Sequence, residues 1–185
     1  SGITNFTNSL ILGHQTTGTL SSADGNTAVG YAAMDAITQG DNNVAIGYNA
    51  FTTNTTGHSN VAVGKSALQN NVSGHSNTSV GQGSSESNTG DNNTAVGKDA
   101  LNANTTGSYN VAVGTNALLA SIKSYSNAFG YNALKTQTTG GSENCAFGWE
   151  SLKLNSSGDH NNAFGNGTLD ANTTGVNNAA FGSYA

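Results

Sequence analysis

The residues of this chain best suited to metal chemistry are its histidines, two of which occupy equivalent places. His58 and His75 stand seventeen residues apart in a polar turn, where Asp41, Asp91 and Asp159 occupy the same place in other copies. Stacked copies would hold two such side chains about 5 Å apart, but a metal site needs three or four ligands. The two histidines are therefore weak candidate metal ligands, which a threefold axis could complete only if the turn faced inward. The alternative is a solvated turn.

Catalytic motifs do not occur in the sequence. It has no Ser-His-Asp order, no phosphate-binding loop and no calcium-binding Gly-Gly-x-Gly-x-Asp repeat. A glycan hydrolase would need two carboxylates about 5 to 10 Å apart in a cleft. The scattered acidic residues offer no obvious pair, so we expect a protein that is not an enzyme and uses no cofactor.

Aromatic and apolar residues form a second group of candidates, where the sequence breaks its own pattern. Residues 118–125 replace a usual Asn-Thr-Thr-Gly turn with Leu-Leu-Ala-Ser-Ile-Lys-Ser-Tyr, and aromatic residues follow two later glycines. Exposed apolar clusters often mark interaction sites, and aromatic rings stack on sugars or anchor protein partners. The candidate binding residues are Leu119, Ile122, Tyr125, Tyr131 and Trp149. Packing between chains is the alternative role.

A repeat that runs through the whole chain must position all of these residues. Eleven copies of a motif of the type Asn-Val-Ala-Val-Gly, 16 to 18 residues apart, end at Gly13, Gly30, Gly47, Gly64, Gly81, Gly97, Gly114, Gly130, Gly148, Gly165 and Gly182. Such a period predicts a solenoid, and it favours order although only 35% of the residues are apolar. Stacking at ~4.8 Å per coil predicts a rod roughly 50 Å long.

Each repeat contains two short apolar segments, which predict two strands. In the first, alanine precedes a large residue, as in Ala62-Val63, and strand alternation places these side chains on opposite faces. In the second, as in Ala67-Leu68, a small residue again precedes a large one. A polar turn then leads to the next copy. The pattern predicts an all-β, parallel β-solenoid, or β-roll, of about 17-residue coils.

An asparagine begins the motif in nine copies, with Ser9 and Ser126 in the other two. Stacked amides can bond to one another along a rod, so this column predicts a structural asparagine ladder.

Two regions depart from the regular repeat. Residues 1–25 contain a more apolar first copy and are predicted to form an atypical coil or cap, while residues 26–185 form the β-roll array of about ten coils. Within the array, residues 82–85 (Gln-Gly-Ser-Ser) lose the small-large pair, and their coil is one residue short. Either a bulge or a decayed copy would explain this.

Charge and composition narrow the possible partners. The net charge is −5 and the chain has no arginine, so we expect no nucleic-acid partner. No apolar run approaches the ~18 residues that span a membrane, so we expect no membrane insertion by this segment. No signal peptide begins the chain, and we interpret it as part of a longer fibrous protein with its export and anchoring regions elsewhere. The single cysteine, Cys145, is predicted to be a small strand residue.

A coil with about two large apolar side chains buries little apolar surface, and the free energy gained is small beside the entropy cost of ordering its backbone. We therefore expect lateral association, with either the Ala/Gly face or the large-residue face packed around an axis.

The motifs at residues 43–47 and 60–64 resemble the head repeats of trimeric autotransporter adhesins, and the coils with Asn-Thr-Thr-Gly resemble repeats of phage-type tail fibres. The resemblance covers residues 9–185. It implies a left-handed β-roll, a homotrimer, and an extracellular place on a bacterial cell surface or virion fibre. These coils are longer than those of familiar adhesin heads, so one turn must be longer. The family supplies no catalytic residues.

The favoured function is a non-enzymatic segment of a trimeric surface fibre that binds, or presents binding to, a host glycan or protein receptor. Threefold presentation would raise weak contacts to useful avidity. A pure structural spacer is the first alternative. An ice-binding solenoid is the second, since threonine pairs at residues 55–56, 105–106 and 173–174 could form a ladder, although residues 72–73, 88–89 and 121–122 interrupt it.

Overall fold

The fold is built from short parallel strands, one in each coil. A computed structural model describes residues 10–12 and 23–185, and that part of the chain contains no helix. Its eleven strands form one sheet in sequence order. They are β1 (Leu10–Leu12), β2 (Thr27–Val29), β3 (Val44–Ile46), β4 (Val61–Val63), β5 (Thr78–Val80), β6 (Thr94–Val96), β7 (Val111–Val113), β8 (Asn127–Phe129), β9 (Cys145–Phe147), β10 (Asn162–Phe164) and β11 (Ala179–Phe181).

Each strand pairs in parallel with the next, so the predicted parallel β-solenoid is confirmed. Between β3 and β4, for example, Ala45 lies beside Ala62 and Ile46 beside Val63. The register holds between β5 and β6 because the short coil loses its residue from the turn, so residues 82–85 do not form a bulge. Most of the predicted cap, residues 1–9 and 13–22, lies outside the described residues, but β1 pairs with β2 in the common register.

The second predicted strand of each coil is wrong. Pairs such as Ala67-Leu68 lie in turns, where Ser66 has a φ of 59° and Leu68 a φ of 50°. These left-handed residues take the backbone out of the extended conformation of a strand. The Leu68 N–H still donates to the Ser84 carbonyl in the next coil at 3.1 Å. A left-handed leucine costs roughly 1–2 kcal/mol. Burial of its side chain offsets this, since it contributes about 1.5–3 kcal/mol.

Three columns of side chains form the apolar half of the interior, and their members are fully buried. They are the strand alanines Ala28, Ala45, Ala62, Ala95, Ala112, Ala128, Ala146 and Ala163, the turn alanines Ala33, Ala50, Ala67, Ala100, Ala117 and Ala133, and the large residues Met34, Phe51, Leu68, Leu101, Leu118, Leu134 and Leu152. Here the small strand alanine points inward, and the narrow coil accepts one large side chain from the turn.

Asparagines line the other half of the interior in two ladders. The predicted ladder is confirmed, because Asn60 Oδ1 accepts from the backbone N–H of Asn77 at 2.9 Å and from its Nδ2 at 3.1 Å. A second ladder, which was not predicted, consists of buried asparagines at the start of the polar turns. In it, Asn104 Nδ2 donates to Asn88 Oδ1 at 2.7 Å, and Asn104 Oδ1 accepts from the Gly107 N–H at 2.8 Å.

The glycine that ends each motif, which we call the anchor glycine, allows the coils to approach one another at the corner after the strand. Gly64 has a φ of +136°, and a Cβ atom on it would lie 2.5 Å from the carbonyl oxygen of Gly81 in the next coil. Only glycine avoids both the strain and the clash.

Candidate functional site

The strands carry their large side chains on the outside of the solenoid. In β3, Ala45 is buried, Val44 is half-buried and Ile46 is 41% exposed. We call the surface formed by the first and third residues of β2–β11 the outer face. Of the two faces considered for lateral association, the alanine face is used inside the chain's own core, so the large-residue face is the one left on the surface.

The third residue of every strand from β2 to β11 is apolar, and each lies half-buried or exposed in the single chain. These residues are Val29, Ile46, Val63, Val80, Val96, Val113, Phe129, Phe147, Phe164 and Phe181. With the columns that border it, the face covers on the order of 1,000 Å², against roughly 800 Å² per partner in a standard interface. Part of this area is polar, but a column of apolar side chains left uncovered over ten coils is typical of an interaction site.

The residues of the outer face change size together along the rod. From β8 onward the third residue is phenylalanine, and the rings of Phe129, Phe147 and Phe164 stack with centroids 4.3 and 5.2 Å apart. The first residue of the same strands becomes Asn127, Cys145, Asn162 or Ala179, in place of the earlier threonines and valines. The larger ring therefore accompanies a smaller or more polar neighbour.

Two columns of mostly exposed residues border the outer face, one two residues before each strand from β2 to β11 and one two residues after it. In the second column, Tyr31 and Tyr48 stack with centroids 5.3 Å apart, and Lys65 Nζ lies 5.9 Å from the Tyr48 ring centroid. Tyr131 and Trp149 belong to the same column and are also exposed. The place after the anchor glycine thus lies at the surface.

The structure gathers three of the five predicted binding residues at this surface. Tyr125 and Tyr131 border Phe129 in one coil, and Trp149 has the place of Tyr131 in the next. Tyr125 stacks on Tyr109 with centroids 5.3 Å apart. The other two predicted residues, the half-buried Leu119 and the exposed Ile122, belong to the preceding turn and not to the outer face.

In the single chain the two candidate metal ligands do not form a site by themselves. The His58 and His75 rings stack with centroids 4.3 Å apart and planes 5° from parallel, so their nitrogens do not converge on one point. In the single chain His58 is exposed and His75 is half-buried. Within the described residues, no group of three or more His, Cys, Asp or Glu side chains could hold a metal ion.

The perturbed titratable groups have structural explanations. Lys153 hydrogen-bonds to Glu150 at 2.9 Å and lowers the pKa of that carboxyl, with help from Asn132. Burial raises the pKa of the Cys145 thiol, so the protonated form is favoured on the outer face. Neither arrangement provides an acid-base pair.

Several hydroxyl groups of the polar turns bond within the chain. Thr38 Oγ1 donates to the Thr55 carbonyl at 3.1 Å, and Thr55 Oγ1 donates to the Val72 carbonyl at 3.3 Å. Ser156 makes the equivalent bond to Thr173 at 3.0 Å. These hydroxyl groups tie one coil to the next.

Sequence reasoning missed that both large strand columns face outward. A signal was present in the repeats, because the third strand residue varies from valine to phenylalanine while the second is alanine in nearly every coil. A close-packed interior tolerates little variation in volume. The constant column is therefore the interior one.

The described residues contain no helix long and apolar enough to cross a lipid bilayer. Comparisons of this chain with protein-family models, with curated proteins and with solved structures found no match.

Proposed function

We propose that this chain is a rigid, non-enzymatic segment of a homotrimeric fibre on a bacterial cell surface or virion, where it serves adhesion to a host. The observation that carries the proposal is the outer face, which has an apolar residue in every coil from β2 to β11 and is left uncovered by the chain's own folding. A left-handed coil with a threefold axis along the rod would bring three such faces together.

The charge distribution on the outer face supports self-association. The first and third residues of β2–β11 include no Asp, Glu, Lys or His. Charged residues occur in the bordering columns instead, where Lys65, Lys98, Glu143 and His160 are exposed. An interface core depleted of charge and surrounded by a polar rim is typical of protein–protein contacts.

The bordering aromatic residues then supply the adhesive surface. With the strand columns packed at the axis, Tyr125, Tyr131 and Trp149 lie at the rim between neighbouring chains, where one side of each ring stays accessible. Such rings stack on sugars or anchor a protein. Three copies of the surface on one fibre raise weak single contacts to useful avidity.

Sedimentation equilibrium tests the assembly. The unmodified chain should have three times the 18.5 kDa monomer mass. Val96→Glu places a charge on the outer face and should dissociate the trimer, whereas Ala103→Glu, an exposed alanine away from that face, should not. A stable, folded monomer of the unmodified chain at micromolar concentration would overturn the proposal.

Binding to whole host cells and to a glycan array tests the adhesive role. Tyr125→Ala and Trp149→Ala should each weaken binding while the trimer persists. Leu154→Ala is the matched control, because Leu154 is 45% exposed but lies outside the outer face and its borders. Unchanged binding by both aromatic variants would leave the chain as a structural spacer.

A further inference from the structure

The coil between β5 and β6 interrupts the apolar half of the interior. Ser79 takes the place of the strand alanine, Ser84 that of the turn alanine and Ser85 that of the leucine, and all three are buried. Among the described residues, the column from Met34 to Leu169 has no other small or polar member. The buried apolar residues accordingly form two clusters, one ending at Leu68 and one beginning at Ala95.

The three serines fill the space with polar groups. A serine side chain has two heavy atoms, alanine one and leucine four, so the three serines carry as many heavy atoms as Ala-Ala-Leu. Ser79 Oγ donates to the Ser84 carbonyl and lies 2.8 Å from Ser84 Oγ. Ser84 Oγ donates to the Gly81 carbonyl oxygen at 3.0 Å. The coil is therefore packed and internally hydrogen-bonded, but it offers Leu68 and Leu101 no large apolar partner.

The asparagine ladder changes at the same place. At Asn77, the side-chain nitrogen donates to Asn60 Oδ1, one coil earlier, at 3.1 Å. Asn93 Nδ2 donates instead to Asn88 Oδ1, five residues before it, at 3.2 Å. The Asn93 backbone N–H still reaches Asn77 Oδ1 at 2.9 Å. The same side-chain link is not made at Ser126 or Asn161 either, so the missing leucine contact is what sets this coil apart.

We infer that residues 77–92 form a joint that divides the rod into two cooperative units, residues 23–76 and 93–185. In a solenoid, stability is the sum of repeat terms and nearest-neighbour terms. The joint keeps its backbone pairing with both neighbours but loses the apolar contact that links the other coils. The energetic coupling between neighbouring coils is weakest there. Each unit therefore unfolds without the other, and contact between coils is lost first at this coil. This inference does not depend on the proposed function.

Native-state hydrogen exchange of the full chain, followed by mass spectrometry in increasing denaturant, tests the joint. Amides of β2–β4 should form one group and those of β6–β10 another, with exchange rates that differ at least tenfold and separate denaturant midpoints. A single cooperative group spanning both sides in the unmodified chain would overturn the inference.

Variants place the boundary. Ser79→Ala/Ser84→Ala/Ser85→Leu restores the pattern of the other coils and should merge the two groups into one. Ser87→Ala, a half-buried serine of the same coil that does not line the core, is the control and should leave two groups. Leu101→Ser should move the boundary toward the next coil. Two groups persisting in a folded triple variant would contradict the joint, and if that variant fails to fold, an unmoved boundary in Leu101→Ser would do so.

Discussion

The chain up to β7 and the chain from β8 onward share an interior and differ in their exterior. Within β4, Val61 and Val63 flank a buried alanine, whereas in β10 Asn162 and Phe164 flank one. The interior columns repeat because they pack against neighbouring coils of the same chain. The two outer columns change together although nothing in the single chain covers them, which is what a shared external packing partner would require. The difference therefore supports an outer face that is an interface.

The largest expected effect comes from placing a larger side chain in the interior of a coil instead of on its outer face. Ala112 is fully buried and Val113 follows it on the outer face. Overpacking by Ala112→Leu should destabilise the chain by about 3 kcal/mol. Val113→Phe extends the phenylalanine column by one coil beside an unchanged Val111, and should cost about 1 kcal/mol. Denaturant unfolding at one chain concentration measures both, and equal effects would contradict the distinction between inside and outside.

The next comparison concerns the asparagine ladder. Asn60 Nδ2 donates to Asn43 Oδ1 and to the Gly74 carbonyl, and its Oδ1 accepts two bonds from Asn77. Because Asn60→Ala leaves buried partners unpaired, it should cost about 2–3 kcal/mol.

In the later part of the chain, Ser126 Oγ accepts only one side-chain bond, from Gln137 Nε2 at 3.2 Å. Ser126→Ala should therefore cost about 1 kcal/mol. Thermal unfolding of both variants checks the ranking. A larger loss for Ser126→Ala would show that bond number does not govern the ladder.

A smaller difference in stability is expected between truncations in the phenylalanine part and in the valine part of the outer face. Phe164→Ala removes a ring stacked between Phe147 and Phe181 and should cost about 1–2 kcal/mol. Val63→Ala, at the same place in an earlier coil, should cost about 0.5–1 kcal/mol because it removes less apolar surface. Sedimentation and unfolding on the same samples separate losses of assembly from losses of folding. Identical costs would mean that the phenylalanine stack adds nothing beyond its area.

The smallest effect is a pH dependence confined to the later part. Lys153 lowers the folded-state pKa of Glu150, so its stabilisation is present above the unfolded pKa and is lost as the pH falls through the folded pKa. Acidification below about 4 should therefore slightly reduce stability reported by Trp149 fluorescence. Glu150→Gln should remove this component. An unchanged acid response in that variant would assign the pH dependence to other carboxylates.

Much of the fold could be predicted because the period and the strand alternation both appear in the residues. The coil length, the parallel register and the ladder at Asn60 follow from them. The second strand was wrong because the left-handed backbone at Leu68 depends on burial by neighbouring coils, which no local pattern reveals. The inward asparagine at Asn104 was missed for a similar reason, because the stacking of coils places a residue of a polar turn in the interior.

The candidate site could be predicted in part. The surface position of Tyr131 and Trp149 follows from a place that also accepts lysine and glutamine. Their association with Tyr125 around Phe129 could not be predicted, because it requires knowing that phenylalanine points outward. Leu119 and Ile122 seemed equally suitable by apolar character alone, yet the turn holds them away from the strands.

The residue-for-residue pairing of each strand with the next makes the length of this rod a matter of counting. Deleting residues 44–60 would join Asn43 to Val61, and every interior column would close again one place shorter. Each coil gained or lost changes the span by about 4.8 Å. The reach of such a molecule can therefore be adjusted by whole-number duplication or loss of a short stretch, with no redesign of the parts on either side.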